Sequence, residues 1–368
     1  GSLFVLFNRK LLNKKYVVYL FSSRFGHFLQ NTEIFLRNKK NLKDYIFVTE
    51  SIIDNKELLE LWSKYIDIYP MFIGDFLRFF LKKKDIHLRP YIVPQDKKFQ
   101  ESRILKNIFL SPDKKKISKF VNKKYITISF RDSAYNKKFH NTGSRDSYRD
   151  TNNSDMKKVI NYFSKKNYTF IKINTSFKKF NCPNIFDYGF SKNYNLETAL
   201  EFIKNADYHI GSNTAIDTYA AFIDKKIILS NVLLGASFPS RLHTSPCLFT
   251  PINIFYKKNN KFVPLSKQIE FLKYSEQKFN VSHFSKDSLR FFGIYAQTNS
   301  YDEIIDTAEE YQKLVKNSFL LDKNLKDKQK LFWKIYSETW SIIDRNEKIV
   351  INSKNFKGNL ILSEKYTK

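Results

Sequence analysis

The chain has 368 residues, 42% of them hydrophobic and 17% aromatic, so it carries enough apolar material for a core and is not globally disordered. Lys and Arg number 64 against 36 Asp and Glu, a formal charge of +28 that would attract polyanions. No stretch approaches the roughly 18 uninterrupted apolar residues of a membrane-spanning helix, and two cysteines, Cys182 and Cys247, make neither a zinc site nor a disulfide framework.

Residues 16–21 (YVVYLF) form an apolar, β-branched run that predicts a strand, followed by a tight turn at Ser22–Gly26 and a helix. The strand signal returns at 45–49 (YIFVT), and Glu57–Tyr65 and Phe72–Lys82 read as helices. From about 88 to 122 the pattern weakens around Pro90, Pro94 and Pro112, which marks an interdomain region. A second series starts at 125–130 (YITISF). A polar loop follows to about Asn153, then a helix around Met156–Lys165, a strand at Thr169–Ile173 and a short strand near Ile185. Helix Leu196–Asn205, strand 207–210, a helix from Asn213 and strand Lys226–Ser230 continue the alternation. The segments 302–317 and 328–343 are strongly helical and lie beyond the last strand signals. Alternating strands and helices predict open, mostly parallel sheets, hence two facing Rossmann-like domains with a cleft between them. The expected boundaries are 3–115, 116–325, and 326–368 for a C-terminal helix returning to the first domain plus a tail. Gly1-Ser2 reads as an expression scar, and a cytoplasmic chain is the default.

In such sheets ligands bind beyond the carboxyl ends of strands, where helix N-termini point free N–H groups at anions. Three loops occupy such places. In Arg24-Phe25-Gly26-His27, Gly26 permits the turn and His27 opens the helix, where it could deprotonate a hydroxyl; taken alone, a histidine there reads first as a cap or packing residue. Asn31 and Glu33 follow within two turns. The second loop, Arg131-Asp132-Ser133-Ala134-Tyr135, puts charge directly after an apolar strand. Arg131 could hold a pyrophosphate bidentately, with Asp132 on its guanidinium or on a sugar hydroxyl, or it could form an intradomain salt bridge. Arg145 and Arg149 make this loop Arg-rich in a chain with only twelve Arg. The third, Gly211-Ser212-Asn213-Thr214-Ala215, leaves helix amides open to phosphate, as it also would if it were an ordinary cap.

Absences narrow the chemistry. The sequence contains no Asp-x-Asp clamp for a divalent metal, no GxxxxGK[ST], no GxGxxG and no Gly-x-Ser-x-Gly. With nine glycines in all, a glycine-rich phosphate cradle is not expected.

Taken together, the loops resemble a family of bacterial glycosyltransferases of surface-polysaccharide biosynthesis. The shared features, over roughly residues 16–315, are Gly26-His27 followed by Asn31-x-Glu33, the Arg131-Asp132-x-x-Tyr135 loop and Tyr148-Arg149. Asp187-Tyr188 after a strand, Gly211 to Thr214 at a helix start, Asn231 after the next strand and the helix at Asn299–Glu310 complete them. The chain departs from the family pattern at Asp150, Lys172, Asn174 and Ala215. The resemblance implies a GT-B fold that works without a bound metal or other cofactor. A nucleotide sugar would be held by Arg131, Asp132, Tyr135, Arg145, Arg149, Tyr188, Gly211, Ser212, Asn213, Thr214 and Asn231. Arg24, Gly26 and Asn31 would contact the acceptor, and His27 or Glu33 would be the base if the reaction inverts.

The expected reaction is thus sugar transfer to a surface polysaccharide, a lipid-linked glycan or lipopolysaccharide, by a cytoplasmic enzyme peripheral at the anionic inner membrane. Segment Phe79–Lys84 with Arg78, and Phe7–Lys15, are the expected membrane contacts. The alternatives are a basic nucleic-acid-binding protein, disfavoured because the lysines are spread along the chain, and an anionic-membrane scaffold without catalysis. Lys, Asn, Ile, Phe and Tyr are abundant together, the set that AT-rich codons favour. Dispersed, solvated lysines therefore explain the charge as well as a polyanion does.

Overall fold

The computed structural model describes residues 9–38, 41–88, 124–131, 148, 150–175, 179–212, 214–223, 225–234, 247–279, 284–316, 323, 326–327, 329–332, 334 and 360–362. The chain divides into two compact units, Gly1–Pro112 with Asn195–Glu197 and Asp113–Tyr194 with Thr198–Lys368.

The first unit is built on strands β1 (Tyr16–Tyr19), β2 (Tyr45–Val48), β3 (Ile68–Tyr69) and β4 (Lys84–His87), all paired in parallel in the order β3-β2-β1-β4. A short helix α1 (Arg9–Leu12) precedes them, and α2 (Phe25–Asn38), α3 (Lys56–Ser63) and α4 (Met71–Phe80) provide the crossovers. Val17, Tyr19, Ile46 and Val48 from the sheet and Ile73 and Leu77 from α4 form its core. Gly74 lets α4 lie close on the sheet, since a Cβ there would stand 2.8 Å from Val48 Cγ2. The helix α3 is started by Asn55, whose side chain accepts the Leu58 amide at 2.7 Å.

The second unit carries β5 (Tyr125–Ile128), β6 (Thr169–Lys172), β7 (Ile185–Asp187), β8 (His209–Gly211), β9 (Ile227–Val232), β10 (Cys247–Pro251) and β13 (Leu360–Leu362). These pair in parallel in the order β13-β10-β9-β8-β5-β6-β7. Counted within the unit, the first six strands run 3-2-1-4-5-6, the doubly wound order, and the first unit repeats its first half, 3-2-1-4. A separate antiparallel pair joins β11 (Asn253–Tyr256) to β12 (Ile294–Gln297). The helices are α5 (Asn153–Ser164), α6 (Leu196–Asn205), α7 (Ala215–Phe222), α8 (Leu265–Phe279), α9 (Lys286–Phe291) and α10 (Tyr301–Lys316). The runs YITI and IILSNV are buried at every residue, as strands covered on both faces must be. On α5, Met156, Val159, Ile160 and Phe163 recur at helical spacing and enter the core with Phe170, Ile228, Ile304 and Tyr311. Each such side chain contributes about 1.5–3 kcal/mol by burial.

The strand signals did not end where the sequence suggested. Residues β10, β11 and β12 add three strands after Ser230, and Leu360–Leu362, expected as tail, pairs with β10. Of the helix expected over 328–343, the described residues are 329–332 and 334, all helical.

Candidate functional site

In a doubly wound sheet the crevice for a ligand opens where the strand order reverses, outside the carboxyl ends of the two central strands. In the second unit those strands are β5 and β8. Their ends are joined by a hydrogen bond from the Arg131 amide to Ser212 Oγ, 2.8 Å. The Asn174 side chain brackets the end of β5, accepting from the Phe130 amide at 3.3 Å and donating to its carbonyl at 2.9 Å. The Arg131 guanidinium, half-buried, lies 3.5 Å from Asp150 Oδ1, and its carbonyl accepts the Thr151 amide at 3.0 Å. The structure therefore realises the intradomain salt bridge, with Asp150 as the partner, while leaving the guanidinium at the strand end.

The helix α7 begins on the same edge. Thr214 is its N-cap, and the Thr214 amide donates to Asp217 Oδ2 at 2.6 Å. The amides of Ala215 and Ile216, the next two, have no partner among the described residues, as the first turn of any helix leaves them. The next strand adds Asn231. Leu229 pairs with Phe249 and Val232 with Pro251, so β9 carries one extra residue there, and Asn231 takes φ +54°, a left-handed conformation that Asn tolerates. Its amide donates to Asn299 Oδ1 and its own Oδ1 accepts the Asn299 amide, both at 2.6 Å. Asn231 Nδ2 is buried and finds no hydrogen-bond acceptor, an expensive condition for a protein interior.

Gly211 has a reason other than close ligand approach: a Cβ there would meet the Asp217 carboxylate at 2.4–2.5 Å. Asp132, Tyr135, Arg145, Arg149 and Asn213 lie outside the described residues. Tyr188, expected at the donor, belongs to the packing instead. It is 1% exposed, stacks edge-on to Phe202 at 5.1 Å and donates its hydroxyl to the Asn193 carbonyl. Beside it, Lys172 and Asp187 form a buried ion pair at 3.1 Å, with Lys172 also donating to the Asn174 carbonyl. Thus two departures from the family pattern, Lys172 and Asn174, are structural.

The first unit presents its strand ends differently. The loop after β1 is laced to the loop after β2: Ser22 Oγ donates to the Ile52 carbonyl and accepts the Glu50 amide. The Ser23 amide donates to Glu50 Oε2 at 3.0 Å and the Phe25 amide to Asp54 Oδ2 at 2.8 Å. Asp54 thus satisfies the first amide of α2, and Glu50 stands just before it, so two carboxylates lie near the positive end of the helix dipole. Arg24 is exposed, and Gly26 and His27 are half-buried. The His27 ring meets Phe21 edge-on at 4.9 Å.

Two residues of this group are not placed as expected. Glu33 is fully buried and ion-paired with Arg37 four residues on, itself buried, so it has no surface to offer an acceptor. Burial lowers the Arg37 guanidinium's pKa, and Glu33 opposes that shift. Asn31 has no exposed surface either, and neither atom of its amide has a hydrogen-bond partner. Sequence reasoning missed Asp150, Asp217, His209 and Asn299. The signals for two of them were present: Asp217 stands three residues after a Thr N-cap, and His209 is a polar residue inside an apolar strand.

Among the described residues no group of three or more His, Cys, Asp or Glu side chains is placed to hold a metal, and no helix is long and apolar enough to cross a membrane. No family model matches the chain, and no curated protein sequence does. Among solved structures it is similar to the glycosyl transferase family 9 protein from Veillonella parvula DSM 2008, at 11% identity over 82% of this chain and 97% of that one, TM-score 0.41. It is also similar to TibC, the dodecameric iron-containing heptosyltransferase of enterotoxigenic E. coli H10407, at 12% identity over 64% of this chain, TM-score 0.38. The match spans about three fifths of TibC, 61% of its length. A comparable likeness, 9% identity over 59% of this chain and 79% of the other, TM-score 0.37, links it to a Listeria monocytogenes structure classed with UDP-N-acetylglucosamine 2-epimerases. Likenesses this distant assign no activity, so the reading that follows rests on the geometry.

Proposed function

We propose that the protein is a glycosyltransferase that moves a sugar from a nucleotide-sugar donor to a surface polysaccharide or lipopolysaccharide acceptor. The observation that carries this reading is the switch point of the second sheet, where the Arg131–Ser212 bond joins the ends of β5 and β8. A guanidinium and two unpartnered helix amides stand at strand ends along that edge, and the bulged Asn231 ends the neighbouring strand. That set suits a diphosphate, whose leaving charge a fixed cation and helix amides stabilise without reorganising. In the proposed reaction the acceptor hydroxyl oxygen attacks the anomeric carbon and the bond from that carbon to the diphosphate oxygen breaks. The hydroxyl proton goes to the imidazole of His27. Positive side chains and the α7 N-terminus take the place that a metal fills in Asp-x-Asp enzymes.

Incubation with a panel of UDP-, GDP-, ADP- and CMP-sugars tests this. Release of free nucleotide that increases with an added glycan acceptor is expected, and no release from any donor would sink the reading.

The acceptor would be lipid-linked, and the first unit carries a surface suited to an anionic bilayer. On and beside α4, Phe72, Phe79 and Phe80 are 55%, 66% and 73% exposed. Arg78 lies 4.3 Å over the Phe79 ring, and Lys82 and Lys84 are exposed just beyond. Aromatic rings enter the interface while each lysine near an anionic surface contributes about 1 kcal/mol. Flotation with phosphatidylglycerol vesicles should carry the protein at low salt, and release it as salt rises; equal behaviour with neutral vesicles would remove the membrane from the account.

A further inference from the structure

Behind the donor turn lies a buried polar network that the proposed chemistry does not use. Asp217, 5% exposed, receives four hydrogen bonds. His209 Nε2 donates to its Oδ1 at 2.9 Å, Thr214 Oγ1 to the same oxygen at 2.9 Å, and the Thr214 amide to Oδ2 at 2.6 Å. The fourth comes from the Ser129 hydroxyl. His209 has no exposed surface, and its Nδ1 stands 3.0 Å from Thr127 Oγ1. Because a carboxylate only accepts, the His209 proton must sit on Nε2, and Thr127 fixes the other nitrogen.

We propose that Asp217 is the positioning residue of the donor turn, acting through Thr214 and Ser129 with His209 as its fixed partner. The inference rests on reading that turn as the diphosphate site. Three elements meet at Asp217: the end of β5 through Ser129, β8 through His209, and the first turn of α7 through Thr214. Ser129 is two residues from Arg131, and Thr214 immediately precedes the unpartnered amides of Ala215 and Ile216. By occupying the Thr214 amide, Asp217 leaves those two as the donors that face a ligand and sets their direction. Its charge is matched on the buried side by one N–H and two O–H donors, so it need not compete for the same amides. Gly211 completes the device, since any Cβ there would strike the carboxylate.

The test measures binding of UDP, GDP and ADP, each alone, to wild type, Asp217→Asn and Ser129→Ala, together with unliganded melting and hydrogen exchange of the Thr214 amide. An Asn puts an N–H against either the Thr214 amide or the three donors, so affinity should fall about tenfold and the Thr214 amide should exchange faster. Ser129→Ala should lose less, at unchanged melting temperature. Wild-type affinity and exchange in Asp217→Asn would overturn the inference. Should that variant not fold, Ser129→Ala decides: binding and exchange equal to wild type overturn it, weaker binding at unchanged melting supports it. If wild type binds none of the three nucleotides, the donor reading itself has failed. Exchange at Thr214 in the unliganded proteins then decides the positioning role alone, faster exchange supporting it and unchanged exchange overturning it.

Discussion

The two units share the strand order 3-2-1-4, and each has a helix springing from the end of its first or fourth strand, with a carboxylate placed differently at each helix start. In the first unit Asp54 accepts the Phe25 amide, the first of α2, and Glu50 accepts the Ser23 amide two residues before it. In the second, a guanidinium ends β5, and Asp217 takes only the Thr214 amide of α7, its charge matched from behind by His209 and Ser129. A helix N-terminus offers an anion only those amides that no group of the protein already binds. On the proposed function, the edge that carries Arg131 and the open Ala215 and Ile216 amides is the one that receives a diphosphate. On that same proposal, the acceptor belongs to the first unit and the donor to the second.

Substitutions on each side should break this division cleanly. The largest effect is expected from His27→Ala, which should lower kcat by about 10²–10⁴-fold, the usual contribution of a general base, with nucleotide affinity unchanged. A parallel loss of nucleotide affinity would place His27 at the donor. Asp54→Ala removes the carboxylate from the Phe25 amide and should cost about 1–2 kcal/mol of stability, read as a lower melting temperature, without changing nucleotide binding. Asp150→Asn removes the countercharge 3.5 Å from Arg131, in a partly exposed pair, and should tighten nucleotide binding severalfold, about 1 kcal/mol or less. Unchanged or weaker binding would mean that Asp150 orients Arg131 rather than neutralising it.

A smaller effect tests the burial at the opposite edge of the second sheet. Lys225, just before β9, donates to the Lys204 carbonyl at 2.9 Å, and burial lowers its pKa from 10.5 to about 8. The folded state thus sheds a proton that the unfolded chain keeps between pH 8 and 10.5. Unfolding takes up a proton in that window, so stability rises with pH there and the full penalty applies below pH 8. Relative to Lys225→Met, the wild type should gain melting temperature from pH 8 to 9.5; a constant difference would show the lysine to be ordinary.

The doubly wound order was legible because buried parallel strands such as YITI and IILS are continuous apolar runs that little else explains. The strands β10 to β13 were not, because their runs are short or interrupted by polar residues. The Arg131 loop was legible for the converse reason, charge set directly against an apolar strand. Its counterion was not, since Asp150 follows nineteen positions later through a loop that no periodicity constrains. Glu33 illustrates a signal misjudged: its place in the motif shared with the resembled family suggested a base, while Arg37 four residues on announced the ion pair the structure contains. Tyr188 was assigned by its place in a motif, and its neighbours Phe186, Tyr194 and Phe202 claim it for packing.

The division between the units stands or falls on Arg131. Calorimetric titration of UDP, GDP and ADP into wild type and Arg131→Ala, each with and without EDTA, addresses it directly. At least one nucleotide should bind wild type equally in both conditions, and Arg131→Ala should weaken it by about 2–3 kcal/mol, roughly 30–150-fold. Binding that EDTA abolishes, or that Arg131→Ala leaves intact, would contradict a donor site built from this guanidinium and the α7 amides.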